Sequence, residues 1–315
     1  MPLDKATSAF VEQVAAARTR PISEMSPDEV RNGMVRMRPM FGTPPDVRRV
    51  EDVRVGDGAD RFDIRVIVPE AEIQGIVIYL HGGGWTTGHI DDFDVFARKL
   101  ATSSSCAVLM VNYRLAPEHR FPAALHDSDA ALQWARQHGP SIAGRDVPIV
   151  LVGDSAGGNL AAVLARKARD REDPALAGVV LAYPATDADF TRASYVDPAC
   201  QSLLTKETMA WYWSHYLPDV AERVNPDASP LRAGDLSRLP PTLIFTAEFD
   251  PLRDEGEEYA ARLIRAGVNV EFERWTGQIH GFLTMVNILP ASERALGKIA
   301  HFIRARVPQH HLTNA

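Results

Sequence analysis

Two glycine-bounded segments hold the residues best suited to chemistry. The first is Gly153-Asp154-Ser155-Ala156-Gly157, of the form G-x-S-x-G. The apolar run PIVLVG (148–153) precedes it and an alanine-rich helical pattern (156–171) follows it. Strand, sharp turn and helix in that order put a serine Oγ on an exposed, strained corner. Flanking glycines allow the close approach that a Cβ would block, and the helix N-terminus faces developing negative charge. A phosphate-cradling glycine turn is the rival, but the segment has no G-K-[S/T] or G-x-G-x-x-G pattern. The second segment is His81-Gly82-Gly83-Gly84-Trp85, after the run GIVIYL (75–80). A glycine run lets several N–H groups converge on one point, which in acyl transfer is the oxyanion of the tetrahedral intermediate. Gly82 and Gly83, with Ala156, are the expected donors.

A serine hydroxyl is a poor nucleophile until a base takes its proton. The chain has ten histidines. His310 and His311 fall in a polar tail, His301 in a late helix, and His81 in the glycine loop, where a backbone-orienting role fits. His89, His119, His126, His138 and His215 have no diagnostic context. His280 lies in GQIHGF, a glycine-flanked loop after the last strand, and the order serine, acid, histidine favours it as base. The acid should follow the strand PTLIFT (241–246), where Glu248, Asp250, Asp254 and Glu255 are candidates. Asp250 sits in the turn just past the strand, before Pro251. Asp254 and Glu255 instead suit the opening of the next helix. Asp250 is the expected orienting acid for His280. Asp154 has no derived role beyond a hydrogen bond that would brace the elbow.

Short β-branched runs at 62–68, 75–80, 107–112, 148–153, 178–183, 241–246 and 268–274 must position these groups. Helical patterns at 92–104, 122–138, 156–171, 254–266 and 291–305 fill most gaps. This alternation predicts an α/β fold with a mostly parallel sheet wrapped by helices. The first strands lack an intervening helix and should form an antiparallel edge. Residues 46–183 and 241–315 are the expected catalytic core, and 1–45 with 184–240 the expected helical cap. Within the cap, Ser26-Pro27-Asp28-Glu29 marks a helix start, with serine as N-cap, proline at N1 and glutamate at N3. Val30, Met34, Met37 and Phe41 then recur at helical spacing, fitting either a core-packing face or a flexible apolar lid. The stretch 184–240 carries the aromatic cluster Trp211, Tyr212, Trp213 and Tyr216.

With 315 residues, 45% hydrophobic and 24% charged, the chain has the composition of a globular protein with a sizeable core, not a disordered or collagen-like one. A net charge of −7 offers no electrostatic footprint for nucleic acid. No apolar run reaches a membrane span, and Asp4 and Glu12 interrupt any apolar centre a signal peptide would need. Two cysteines, Cys106 and Cys200, make a disulfide framework unexpected and fit a reducing cytoplasm. No H-E-x-x-H or comparable cluster suggests a metal.

Six ordered segments resemble the bacterial hormone-sensitive-lipase-like esterases of the α/β-hydrolase fold. They are HGGGW (81–85), NYRLAPEHRFPAAL (112–125), GDSAGGN (153–159), ASPLRA (228–233), DPLRDEG (250–256) and IHGF (279–282). The resemblance implies about eight strands with a helical cap, and Ser155 as nucleophile, His280 as base and Asp250 as acid. It implies an oxyanion hole of Gly82, Gly83 and Ala156. The activity it implies is cofactor-free hydrolysis of short-to-medium acyl esters, and members of the family often pair as homodimers. An arylformamidase, lactonase or amidase would use the same triad. An acyltransferase is not separated from these, and a non-catalytic ligand receptor on this fold is the remaining alternative.

Overall fold

Strands that are apolar on both faces need helices on both sides, and that demand organises the chain. The structure is a computed structural model that describes residues 2–17 and 20–307. Among these residues eight strands form one sheet: β1 (Arg49–Val55), β2 (Phe62–Val68), β3 (Gly75–Leu80), β4 (Cys106–Asn112), β5 (Ile149–Asp154), β6 (Gly178–Ala182), β7 (Thr242–Phe249) and β8 (Val270–Ile279). Their order is β1-β2-β4-β3-β5-β6-β7-β8. β1 and β2 are antiparallel to their neighbours, and the strands from β4 to β8 pair in parallel.

The helices are α1 (Lys5–Ala17), α2 (Pro27–Met37), α3 (Asp94–Ser104), α4 (Ala123–Ala143), α5 (Ala156–Asp170), α6 (Ala193–Val196), α7 (Lys206–Tyr216), α8 (Arg253–Arg265) and α9 (Pro290–Arg304). Alternation along β3 shows how they divide. Ile76, Ile78 and Leu80 face a layer containing residues of α4, α5 and α8. Val77 and Tyr79 face the opposite layer, with Phe96 of α3 and Ile299 of α9. Cys106 and Cys200 are free and buried.

β1 does not appear among the strand runs expected from sequence. Its residues RVEDVRV are mostly charged and exposed. An edge strand needs a hydrogen-bonding partner more than a buried face, and charges there discourage further pairing. Arg65 of β2 holds Asp52 of β1 by two bonds of 2.7 and 2.9 Å.

The first 45 residues divide in two. α1 lies on the core: Asp4 N–H donates to Gly277 O of β8 (3.1 Å), and Phe10 is buried in the α9 layer. α2 begins with the expected capping box, Glu29 N donating to Ser26 Oγ and Ser26 N to Glu29 Oε2. The residues between β6 and β7 contain α6, α7 and short turns, and the turn Ile22–Glu24 packs against α7.

Candidate active site

Parallel pairing of β3 with β5 sets the site, because it matches Leu80 with Gly153 and so brings both glycine segments out at neighbouring strand ends. Ser155 takes φ 53° and ψ −118° between β5 and α5. A non-glycine residue at positive φ is strained, and here it lifts Oγ off the strand end. The flanking glycines are sterically required. A Cβ on Gly153 would stand 2.2 Å from Gly157 O, and one on Gly157 would stand 1.9 Å from Leu80 O. The Ser155 N–H donates to Ala182 O of β6 (2.9 Å), fixing the turn to the sheet.

His280 follows β8, with its Nε2 2.9 Å from Ser155 Oγ and its Nδ1 2.8 Å from Asp250 Oδ2. A carboxylate accepts, so Nδ1 carries the proton and Nε2 is the acceptor that faces the hydroxyl. Asp250 is fully buried, and its other oxygen accepts from Leu252 N–H (2.8 Å). The Tyr183 ring lies 4.7 Å from the imidazole. The other acid candidates are engaged elsewhere: Glu248 accepts from Gly277 N, Asp254 from Ser194 N, and Glu255 from Thr186 N. Among the described residues only His280 joins Ser155 to a carboxylate; His310 and His311 lie outside them.

The glycine loop departs from expectation at one position. The Gly82 N–H donates to Asp154 Oδ1 at 3.0 Å, so it is not free to meet an oxyanion. The N–H groups of Gly83, Gly84 and Ala156 have no hydrogen-bond partner among the described residues, and all three residues line the cavity at Ser155. Gly84 therefore replaces Gly82 as the candidate donor. The run of three glycines could not distinguish them. The one available signal was the acid beside the serine, which reaches the loop across the β3–β5 pair.

Two carbonyls orient these donors. His81 Nδ1 is 2.7 Å from Gly82 O, and Gly83 O accepts from Thr86 N (3.1 Å), Thr87 N (2.9 Å) and Thr87 Oγ1 (2.9 Å). Across a trans peptide the C=O and the next N–H point in opposite directions. Pinning the carbonyls of Gly82 and Gly83 thus turns the N–H groups of Gly83 and Gly84 the other way. His81 is sandwiched between Phe93 and Tyr113, and burial pulls its pKa down to about 4, so it stays neutral.

Asp154 Oδ1 also accepts from Tyr79 OH (2.8 Å), and burial raises its carboxyl to about 6 despite both hydrogen bonds. The aromatic cluster backs the loop from α7. Tyr212 covers Gly84 so closely that a Cβ there would stand 2.1 Å from the ring, and Trp85 stacks on Tyr216 at 4.3 Å. The cavity at Ser155 is about 170 Å³, with apolar walls from Met34, Phe93, Leu204, Met209 and Tyr212. A roomier groove of about 670 Å³ beside α2 has charged walls and does not reach Ser155.

An eight-stranded, mostly parallel sheet whose strand-end serine is hydrogen-bonded to a histidine and a buried aspartate is the architecture of an α/β serine hydrolase. The comparisons with known proteins agree. A family profile described as alpha/beta hydrolase fold matches residues 77–284. The chain is 37% identical over 289 residues to Carboxylesterase NlhH of Mycobacterium tuberculosis (strain ATCC 25618 / H37Rv), covering 89% of this chain and 90% of that one. It is 32% identical over 308 residues to an ethyl acetate hydrolase of Pseudomonas putida, covering 94% and 96%. The solved hyperthermophilic esterase from Pyrobaculum calidifontis superposes with a TM-score of 0.90 at 37% identity, covering 97% and 99%. The chain belongs to the hormone-sensitive-lipase-like carboxylesterases of the α/β-hydrolase fold, and it is a serine carboxylic-ester hydrolase. No helix among the described residues is long and apolar enough to cross a membrane, and no group of three or more His, Cys, Asp or Glu there could hold a metal ion.

Proposed function

We propose that the protein hydrolyses esters of short acyl chains through an acyl-enzyme on Ser155. The unbroken series Ser155 Oγ, His280 and Asp250 carries this reading. His280 takes the hydroxyl proton as Oγ attacks the ester carbonyl, and Asp250 holds the imidazole in the required tautomer and stabilises the imidazolium. The N–H groups of Gly83, Gly84 and Ala156 receive the oxyanion, supported by the positive end of α5. His280 then protonates the leaving alcohol. Water repeats the route to release the acid, so every step uses the chain's own groups and water.

The preference for short chains rests on cavity size. A space of about 170 Å³ is close to the ~150 Å³ that admits a benzene ring. α2 and residues 184–240 act as the cap over it, while α1, packed on β8, belongs with the core. The two free cysteines fit a cytoplasmic protein, and a homodimer is the expected assembly. The test is hydrolysis of p-nitrophenyl esters from acetyl to palmitoyl by wild type and Ser155→Ala. Activity greatest on acetyl to butyryl esters, and lost in the variant, is expected. Equal activity in Ser155→Ala would overturn the nucleophile assignment. Folded wild type that is inactive on every ester would redirect the reading to formamides, lactones or amides.

A further inference from the structure

The oxyanion turn is gripped from outside the catalytic set by one arginine of α2. Arg31 Nε donates to Thr86 O (2.9 Å) and its Nη2 to Ala116 O (2.9 Å). Both of those residues are fully buried, and neither carbonyl accepts from any other group among the described residues. The remaining donors go to carboxylates: Glu118 takes bonds of 2.8 and 2.7 Å, and Asp28 one of 3.1 Å. All five guanidinium N–H groups are therefore engaged, in a fixed fork that lysine cannot reproduce.

The contacts converge on the segment that aims the donors. Thr86 N–H is one of the groups that pin Gly83 O, and Thr86 Oγ1 donates to Gly84 O (3.0 Å). Ala116 N–H donates to Trp85 O (2.8 Å), so the second carbonyl Arg31 holds belongs to a residue already tied to the same turn. Arg31 faces the charged groove and does not line the cavity at Ser155, whereas Met34, one helical turn on, does. The residue that follows α2, Arg38, is a separate anchor and bonds Asp92 (2.6 Å) and Asp91 (3.3 Å). The helix can thus stay docked when Arg31 is cut.

We propose that Arg31 is a positioning residue for the ester hydrolysis. It holds the carbonyls of Thr86 and Ala116 and thereby fixes the turn that points the N–H groups of Gly83 and Gly84 at the substrate oxyanion. The proposal rests on the esterase reading above. It assigns α2 a second duty besides walling the cavity: its docking completes the oxyanion site. Because the donors act on charge that develops in the transition state, loosening them lowers kcat more than it raises KM.

The experiment compares wild type, Ser155→Ala, Arg31→Ala, Arg31→Lys and Glu118→Gln on p-nitrophenyl acetate, an ester small enough to depend little on the cavity wall. Removing one oxyanion donor outright costs about 100-fold in rate, so loosening two is expected to lower kcat by roughly tenfold. KM should stay within about threefold. Arg31→Lys should also fall, and millimolar guanidinium ion should restore part of the Arg31→Ala rate, which a merely structural role would not allow. Glu118→Gln keeps both carbonyl contacts and should stay within about twofold of wild type. Should Arg31→Ala not fold, judged by circular dichroism, Arg31→Lys decides alone. An active wild type with the arginine variants within twofold overturns the proposal. So does a loss expressed wholly in KM, a loss that guanidinium ion does not relieve, or a loss that Glu118→Gln shares equally. An inactive wild type overturns the esterase reading and the proposal with it.

Discussion

Asp154 offers a prediction whose size and sign follow from burial. Its carboxyl is enclosed, accepts from Tyr79 OH and Gly82 N–H, and is raised from 3.8 to about 6, chiefly by burial. At about 1.4 kcal/mol per pKa unit, that rise corresponds to about 3 kcal/mol. In the unfolded chain the group loses its proton near 3.8, and in the folded chain near 6. Folding therefore takes up a proton between these values, and stability from this group is fully present below about pH 3.8. It is lost as pH rises through about 6. Asp154→Asn keeps an oxygen for both donors and removes the titration. Urea unfolding of both proteins from pH 4 to pH 8 should show the variant gaining about 2.4 kcal/mol relative to wild type, almost all of it before pH 7, because about 0.6 kcal/mol is already lost at pH 4. Any constant offset from the added amide N–H groups subtracts out. A difference independent of pH, or one growing in wild type's favour as pH rises, would refute the reasoning. It would mean that the two donors outweigh burial and keep the carboxylate ionised throughout.

Two further outcomes follow from the site geometry. Asp250→Asn would leave His280 Nδ1 without a carboxylate partner, so kcat on a short ester should fall by about 10⁴-fold with little change in KM; a loss under tenfold would remove Asp250 from its proposed role. Gly157→Ala would put a methyl 1.9 Å from the Leu80 carbonyl, a backbone atom that cannot swing away. A loss of about 3 kcal/mol or more in urea unfolding is expected, and an unchanged midpoint would contradict the packing.

Much of the molecule is legible in the sequence because its signals are local. The runs GIVIYL and PIVLVG read as buried parallel strands, since a strand covered on both faces has no reason to alternate. Ser26, Pro27 and Glu29 declared the start of α2, because a capping box is made within four residues. Ser155 was named by a turn that tolerates few residue types. His280 and Asp250 were named by their places after particular strands. β1 is not legible in this way, because an exposed edge strand is stabilised by its neighbour's backbone and leaves little apolar pattern of its own.

What the sequence by itself determined was therefore the sheet-and-helix framework and the three side chains now seen in hydrogen-bonded series. Only the tertiary structure decided which backbone groups stand beside them. Gly82, Gly83 and Gly84 are identical in composition and adjacent in sequence. Gly82 N–H is consumed by Asp154, 72 positions away, while carbonyl contacts turn the next two N–H groups outward. The same holds for Arg31, a helix residue that belongs to no motif, whose contacts lie 55 and 85 positions on. A backbone donor carries no side chain for sequence to mark, and its direction is set by whatever partner the fold brings to the neighbouring carbonyl.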